Sequence, residues 1–331
     1  MSTLPSNPFR WGIIGPGHIA HKFALGLGAM PGATISAVAS RDIERADSFT
    51  SQFGGKAFGS YTQMLESKLV DAVYIATPHN FHLEHTLLAL ERKVPVLCEK
   101  PLAVNANQAL NMTQSSHQNH TFLMEGLWTR FLPHIRFIEE IQANGDFGAL
   151  KFIQADFGFK AIFNPDSRLF NPNLAGGALL DIGIYPLFLS TFFLGKPTSI
   201  AVSADLASTG VDEAVFLQLE FENKSKAQLM ASVRYKSKTS ARFVFDRGEI
   251  EIEEQWLRPA NLIVRNEGNE LPEVFNFPPL VNGFEYEALE VQRCVEDGKI
   301  ESELMPHVFS ISLLELMDQI RAEIGVKYPF E

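Results

Sequence analysis

Cysteine is nearly absent. Two residues, Cys98 and Cys294, are too few in 331 for a disulfide framework, and neither stands at a metal-ligating spacing. This favours a reducing, cytoplasmic setting. Positive charge is also scarce: 28 Lys and Arg face 39 Asp and Glu, a net charge of -11. That balance argues against holding nucleic acid or an anionic membrane through bulk electrostatics, while leaving room for a local basic pocket that takes a phosphate. No run approaching 18 apolar residues escapes a charge or a breaker, so no transmembrane helix is expected. The opening MSTLPSNPFRWGIIG has no charged segment followed by an apolar core, and does not read as a signal peptide. Internal repeats, low-complexity tracts and long linkers are missing too.

What is present is apolar and aromatic. Hydrophobic residues make up 46% of the chain, and 27 Phe imply broad packing surfaces, a subunit interface among them. The length suits two domains rather than one core. Strand-like runs (RWGIIG, ATISAVAS, KAFGS, LVDAVYIAT, VPVLCEK, TFLMEG) alternate with helical patterns through the first third. That alternation predicts βαβ units and a parallel, doubly wound sheet, an α/β fold. Near residue 127 the pattern changes. WTRFLPHIRFIEEIQANGDFG reads as one helix, and strand-like runs from LKFIQADFGF to LIVRNEG follow, joined by short polar turns. They predict a large, open, mostly antiparallel sheet. Helical patterns GFEYEALEVQRCVEDG and HVFSISLLELMDQIRAEIG close the chain. The expected division is a dinucleotide-binding domain over 1–126 and a substrate-binding and oligomerisation domain over 127–331, with a cleft between them and the last helix free to return to the first domain.

The first strand runs into Gly15-Pro-Gly17-His18-Ile19-Ala20, a G-x-G-x-x-A pattern opening a helix. Glycines there permit a tight turn and let backbone N–H groups approach a pyrophosphate at the helix N-terminus. The second strand ends Ser40-Arg41-Asp42, with Arg45 a turn later. An acidic residue at that place reads the ribose 2′-OH of NAD, whereas Arg beside Ser suits a 2′-phosphate. Asp42 is either the acidic reader displaced, or a helix N-cap that leaves Arg45 solvated. NADP(H) is favoured, with NAD(H) the alternative.

Chemistry is expected where the apolar strand VPVLCEKP halts on Glu99, Lys100 and Pro101. By strand order this lies past the topological switch, beside a nicotinamide. Hydride transfer from an alcohol needs a base for the hydroxyl proton, and the reverse needs an acid. Lysine does either, or lowers a neighbour's pKa by its charge; on spacing alone it is an ordinary solvated strand-end residue. Glu99 is expected to hold the lysine or the cofactor ribose. In GGALLDIGIYP, Asp181 and Tyr185 stand four apart and would share a helix face, although Gly183 and Pro186 disturb that assignment. The pair is either an acid–base device or a structural tyrosine with its acceptor. His79, Asn80 and His82 follow the fourth strand and should line the cofactor cleft. A zinc site from His79, His82 and His85 shows no fourth ligand, and Lys100 with Tyr185 would do the work a metal does, so no metal is assigned to this chemistry. Trp128, Arg130 and Phe131 would meet substrate, or else form a packing ridge; Arg168 and Phe170 would lie on a loop over it.

The motifs WGIIGPGHIA, YIATPHNFHLEH, VLCEKPLAVN, MEGLWTRFLP and RLFNPNLAGGALLDIGIYP occur in order across residues 10 to 195. On them the chain resembles the Gfo/Idh/MocA oxidoreductases, and within these the dihydrodiol dehydrogenase and NADP-linked D-xylose dehydrogenase branch. The resemblance implies a Rossmann domain followed by an α/β domain with an open sheet used for dimerisation. It implies that Lys100 adjoins the nicotinamide and the reacting oxygen, that the bond to Pro101 is often cis, and that Thr77, Pro78 and His82 neighbour the nicotinamide ribose. Many members carry histidine where Tyr185 stands; the nearer branch has tyrosine as proton donor and acceptor, and its 2′-phosphate contacts match Arg41 and Arg45. The expected function is hydride transfer between NADP and a sugar or cyclic diol, by Lys100, Tyr185 and Asp181, in a homodimer or homotetramer. The alternative is a non-catalytic NADP(H) sensor of the same fold.

Overall fold

In the computed structural model, residues 8–331 are described, and the chain clusters into two compact units. The first comprises residues up to Trp128 together with 279–312; the second comprises 129–278 and 313–331.

In the first unit the alternation of strand and helix patterns is realised element by element. The elements are β1 (Phe9–Ile14), α1 (His18–Leu27), β2 (Ala33–Ala39), α2 (Ile43–Phe53), β3 (Lys56–Phe58), α3 (Tyr61–Glu66), β4 (Ala72–Ile75), α4 (His82–Leu90), β5 (Val96–Glu99), α5 (Ala106–Asn119) and β6 (Leu123–Gly126). Every strand pairing is parallel, in the order β3-β2-β1-β4-β5-β6, so the order reverses beside β1. β4, β5 and β6 are buried along their whole length, as strands covered on both faces must be, which is why they read as unbroken apolar runs.

The second unit opens differently from the single helix expected over 128–148. A 3₁₀ turn, Trp128–Phe131, is followed by α6 (Pro133–Asn144). The cause is local: Leu132 precedes proline and is extended, at φ -67 and ψ 138, which the ring of Pro133 enforces. Next come β7 (Leu150–Gly158), α7 (Ile184–Leu194), β8 (Pro197–Leu206), β9 (Asp212–Phe221), β10 (Lys226–Ser232), β11 (Ala241–Phe245), β12 (Gly248–Ile252), β13 (Leu262–Asn266) and the unanticipated β14 (Glu273–Phe275). They form an eight-stranded sheet, β14-β13-β12-β11-β7-β10-β9-β8, antiparallel except where β7 meets β10. α7 packs on β7 and β10 and covers one face. The other face carries Gln154, Phe216, Gln218, Gln228 and Met230, lining an open depression. Pro172–Leu194 is long and apolar enough to cross a membrane, but most of its residues are buried inside the protein, as a core helix is.

The last two helices are α8 (Phe284–Glu296) and α9 (His307–Ile324). α8 belongs wholly to the first unit, where it packs on α1; α9 belongs to that unit up to Ser312.

Candidate active site

The glycine turn has the shape a phosphate needs. Gly15 has φ +85, and a Cβ there would stand 2.8 Å from Thr77 Cγ2. Around Gly17 a Cβ would meet nothing within 4 Å, which leaves an open cradle in front of α1. Gly17 caps α1 without a side-chain hydrogen bond, and no acidic residue fills the first turn. The leading N–H groups, those of His18 and Ile19 among them, thus face outward from a helix N-terminus, a ready anion site. Asn80 adds a buried amide oxygen with no partner among the described residues. These features fit a dinucleotide.

At the end of β2, Ser40 is buried while Arg41 and Arg45 are exposed. The two readings of Asp42 are now separated. Its carboxylate accepts the Glu44 N–H at 3.1 Å and caps α2, so it is engaged by its own helix. Ser40 Oγ accepts the Asp42 N–H at 3.2 Å, and the Arg41 guanidinium lies 5.3 Å above the Phe81 ring.

One chain of contacts joins this turn to Lys100. Thr77 touches the Gly15 position; the His82 ring places Nε2 2.9 Å from the Thr77 carbonyl oxygen and Nδ1 2.8 Å from that of Pro101. His82 was expected to face the cofactor cleft. Its side chain is fully buried, desolvation lowers its pKa, and its ring lies between the β4 turn and the Lys100–Pro101 turn. His85 is likewise engaged, Nδ1 meeting Thr77 Oγ1 at 3.0 Å, and burial lowers its pKa to about 4. His79 packs ring to ring with His82, and Pro78 precedes that turn.

The Lys100–Pro101 peptide is cis. Lys100 is half-buried, and its N–H donates to Glu99 Oε2 at 3.1 Å. Glu99 is buried, and its other oxygen accepts the hydroxyl of Tyr74, whose ring stacks on Phe23 at 3.9 Å. Three supporting residues were not singled out from sequence: Tyr74, Glu125 and Glu287. Burial pushes the Glu125 carboxyl up to about 7, although it accepts the Leu102 N–H at 2.8 Å. Burial, reinforced by Glu99, pushes Glu287 well above the carboxylate range; neither of its oxygens has a partner among the described residues. A carboxylate inside an otherwise apolar run, as in FLMEG, was the available signal.

In the second unit GGALLDIGIYP does not begin a plain α-helix. Leu179–Gly183 is a π-turn, and α7 starts at Ile184 with Pro186 in its first turn, where a missing N–H costs nothing. Arg168 pairs with buried Asp181 at 2.9 Å, which brings two of the anticipated residues together. Tyr185 is buried, with its ring edge-on to Phe157 at 5.8 Å. Asp212 supports the turn, accepting the Leu179 N–H at 2.6 Å. Tyr328 donates to the Gly176 carbonyl oxygen at 2.8 Å.

Trp128, Arg130, Phe131 and Phe170 make packing contacts within their own units. Trp128 is buried in the first unit and stacks on Phe284 at 4.5 Å, so one ring face is already covered. Arg130 is 3% exposed, ion-paired to Glu139 at 3.2 Å and lying 4.2 Å over the Phe192 ring. Phe131 is buried, and Phe170 is buried with its ring edge-on to Phe163.

Comparison with known proteins agrees with this geometry. Residues 9–127 match the family described as "Oxidoreductase family, NAD-binding Rossmann fold", and residues 135–251 match the "GFO/IDH/MocA C-terminal domain". Trans-1,2-dihydrobenzene-1,2-diol dehydrogenase from Danio rerio is 37% identical, covering 96% of this chain and 98% of that protein. The Homo sapiens protein of that name is 34% identical over 97% and 98%. Among solved structures, a 3-ketoreductase from Actinomadura kijaniata in complex with NADP superposes with TM-score 0.85 at 26% identity, covering 96% of this chain and 98% of that one. Aldose-aldose oxidoreductase from Caulobacter crescentus shares the fold, with TM-score 0.86 at 22% identity over 96% and 97%.

Proposed function

The chain belongs to the Gfo/Idh/MocA oxidoreductases, and on that premise we propose that it is an NADP-dependent dehydrogenase acting on a CH–OH group of a sugar or cyclic diol. One observation carries the reading: the contacts from Gly15 through Thr77 and His82 to Pro101, which tie the glycine turn to the Lys100 turn. When bound, the nicotinamide supplies the hydride acceptor or donor. Gly15, Gly17, His18, Ile19, Thr77, Pro78, His79 and Asn80 would line its cradle. Preference for NADP rests on Arg41 and Arg45 beside Ser40, with Asp42 already spent on its cap.

In this reading the Lys100 ammonium polarises the reacting oxygen, and Glu99 fixes that lysine through its backbone N–H. Tyr185 takes up or returns the hydroxyl proton. Asp181, held by Arg168, orients that side of the substrate. The substrate class follows the relatives: a trans-dihydrodiol or an aldose such as D-xylose. Residues 1–126 would serve the cofactor, and 127–331 the substrate and a homodimer or homotetramer built on the open sheet face. Two buried free cysteines suit a cytoplasmic location.

The test mixes the pure protein with NADP+ or NAD+ and a panel of aldoses, inositols and trans-dihydrodiols, following nicotinamide absorbance. Turnover on one class with NADP+ is the expected result. Tight NADPH binding with no turnover on any class would move the assignment to a sensor.

A further inference from the structure

His117, at the end of α5, Glu301, in the segment before α9, and His307, the first residue of α9, meet on the first unit. One ligand atom from each lies within 4.8 Å of the other two. The chemistry of the three is specific. His307 Nε2 stands 2.8 Å from the Leu123 carbonyl oxygen, and a carbonyl only accepts, so the ring proton is on Nε2. In the neutral ring Nδ1 is then a bare lone pair. It is buried, has no hydrogen-bond partner among the described residues, and stands 3.7 Å from Glu301 Oε2.

Nδ1 and Oε2 repel one another unless a proton or a metal cation lies between them, and their spacing is longer than a hydrogen bond and close to that of two ligands on one ion. Glu301 does not drift away, because Oε2 accepts the His307 backbone N–H at 2.7 Å. The His117 ring closes the third side, its centroid 5.5 Å from that of His307 and its plane at 85°. We propose that His117, Glu301 and His307 form a site for a divalent transition metal, zinc by ligand type. Two imidazoles and a carboxylate are a known zinc donor set, with water in the fourth position.

Bonds of about 2.0–2.2 Å at tetrahedral angles set neighbouring ligand atoms roughly 3.4 Å apart. His307 and Glu301 are already near that spacing. His117 is exposed and supplies the remaining movement. The Leu123 carbonyl behind His307 plays the orienting part that a second partner plays for metal-bound histidines, fixing tautomer and ring plane.

The position assigns the metal a structural task. Leu123 opens β6 beside Val96 at the start of β5, whereas Glu99, before Lys100, pairs with Gly126 at the other end. An ion here would clamp α5, the 301 segment and α9 to the start of β6, at the end of these strands remote from the proposed chemistry.

The test is titration of the chelator-stripped full chain with Zn(II) and Co(II), read by calorimetry and by Co(II) visible absorption, with thermal melting alongside. One equivalent should bind, with a tetrahedral-type Co(II) spectrum and a raised melting temperature under zinc. His117→Ala should weaken binding at least tenfold while leaving NADP-linked turnover unchanged. Glu301→Gln should weaken it too while retaining an acceptor for the His307 N–H, so that folding is preserved. Absence of stoichiometric binding, or equal binding by His117→Ala, overturns the site.

Discussion

Asp212 occupies the space a side chain on Gly177 would take. Gly177 has φ +131, and a Cβ there would collide with Asp212 Oδ1, while Oδ2 of the same carboxylate accepts the Leu179 N–H at 2.6 Å. The double glycine of GGALLDIGIYP is thus set by a strand 33 residues beyond Leu179. Gly177→Ala imposes both a left-handed backbone penalty and an overlap with a buried carboxylate. Strain of this kind costs about 1–3 kcal/mol before the overlap is counted. The variant should melt at least about 2 °C lower than the parent. An unchanged melt would mean that Asp212 does not fill that space.

The second prediction concerns Glu125. Burial raises its folded pKa to about 7 from an ordinary 4.5, so the folded state binds this proton more tightly than the unfolded chain does. The contribution to stability is therefore complete below about pH 4.5 and is lost as pH climbs through 7. A difference of that size is worth roughly 3 kcal/mol. Glu125→Gln keeps an oxygen for the Leu102 N–H and has no proton to lose. Urea unfolding at pH 5 and pH 8 should show the variant gaining on the parent at pH 8 only. Parallel curves at both values would place the Glu125 pKa in the normal range.

Much of the fold was legible because its causes are local. The β1 to β6 alternation is a matter of period, and the turn at Gly15 of a residue type suited to positive φ. What was not legible depends on partners distant in sequence. The π-turn at Leu179–Gly183 rests on Asp212. The ion pair of Arg130 with Glu139 and its place over the Phe192 ring depend on residues 9 and 62 positions further on. The burial of the His82 ring between the carbonyl oxygens of Thr77 and Pro101 depends on the Pro101 turn, 19 residues on. Glu287 becomes notable only because α8 returns to the first unit and buries it under the influence of Glu99.

Cofactor choice gives the third prediction. Arg41 and Arg45 are exposed, and Asp42 is tied to the Glu44 N–H. Arg41→Ala with Arg45→Ala removes two charge-assisted donors available to a 2′-phosphate and touches nothing a 2′-hydroxyl requires. The KM for NADP+ should rise about 10- to 100-fold, while that for NAD+ moves by less than about threefold. Equal increases for the two cofactors would show that the arginines support the fold of this corner instead.

The last prediction separates chemistry from packing at Tyr185. Its ring is buried against Phe157, so Tyr185→Phe keeps the packing and removes one hydroxyl. Loss of a proton-transfer group typically costs about 100- to 10,000-fold in rate. The expected signature is a fall in kcat of that order, NADPH affinity within about twofold of the parent, and a nearly unchanged melting temperature. Asp181→Asn should behave differently, because it leaves Arg168 facing a neutral amide and perturbs orientation more than proton transfer. A rise in KM with a smaller loss in kcat is expected there. If Tyr185→Phe turns over at the parent's rate, the hydroxyl takes no part in the proton step, and Lys100 alone must hold and release the proton.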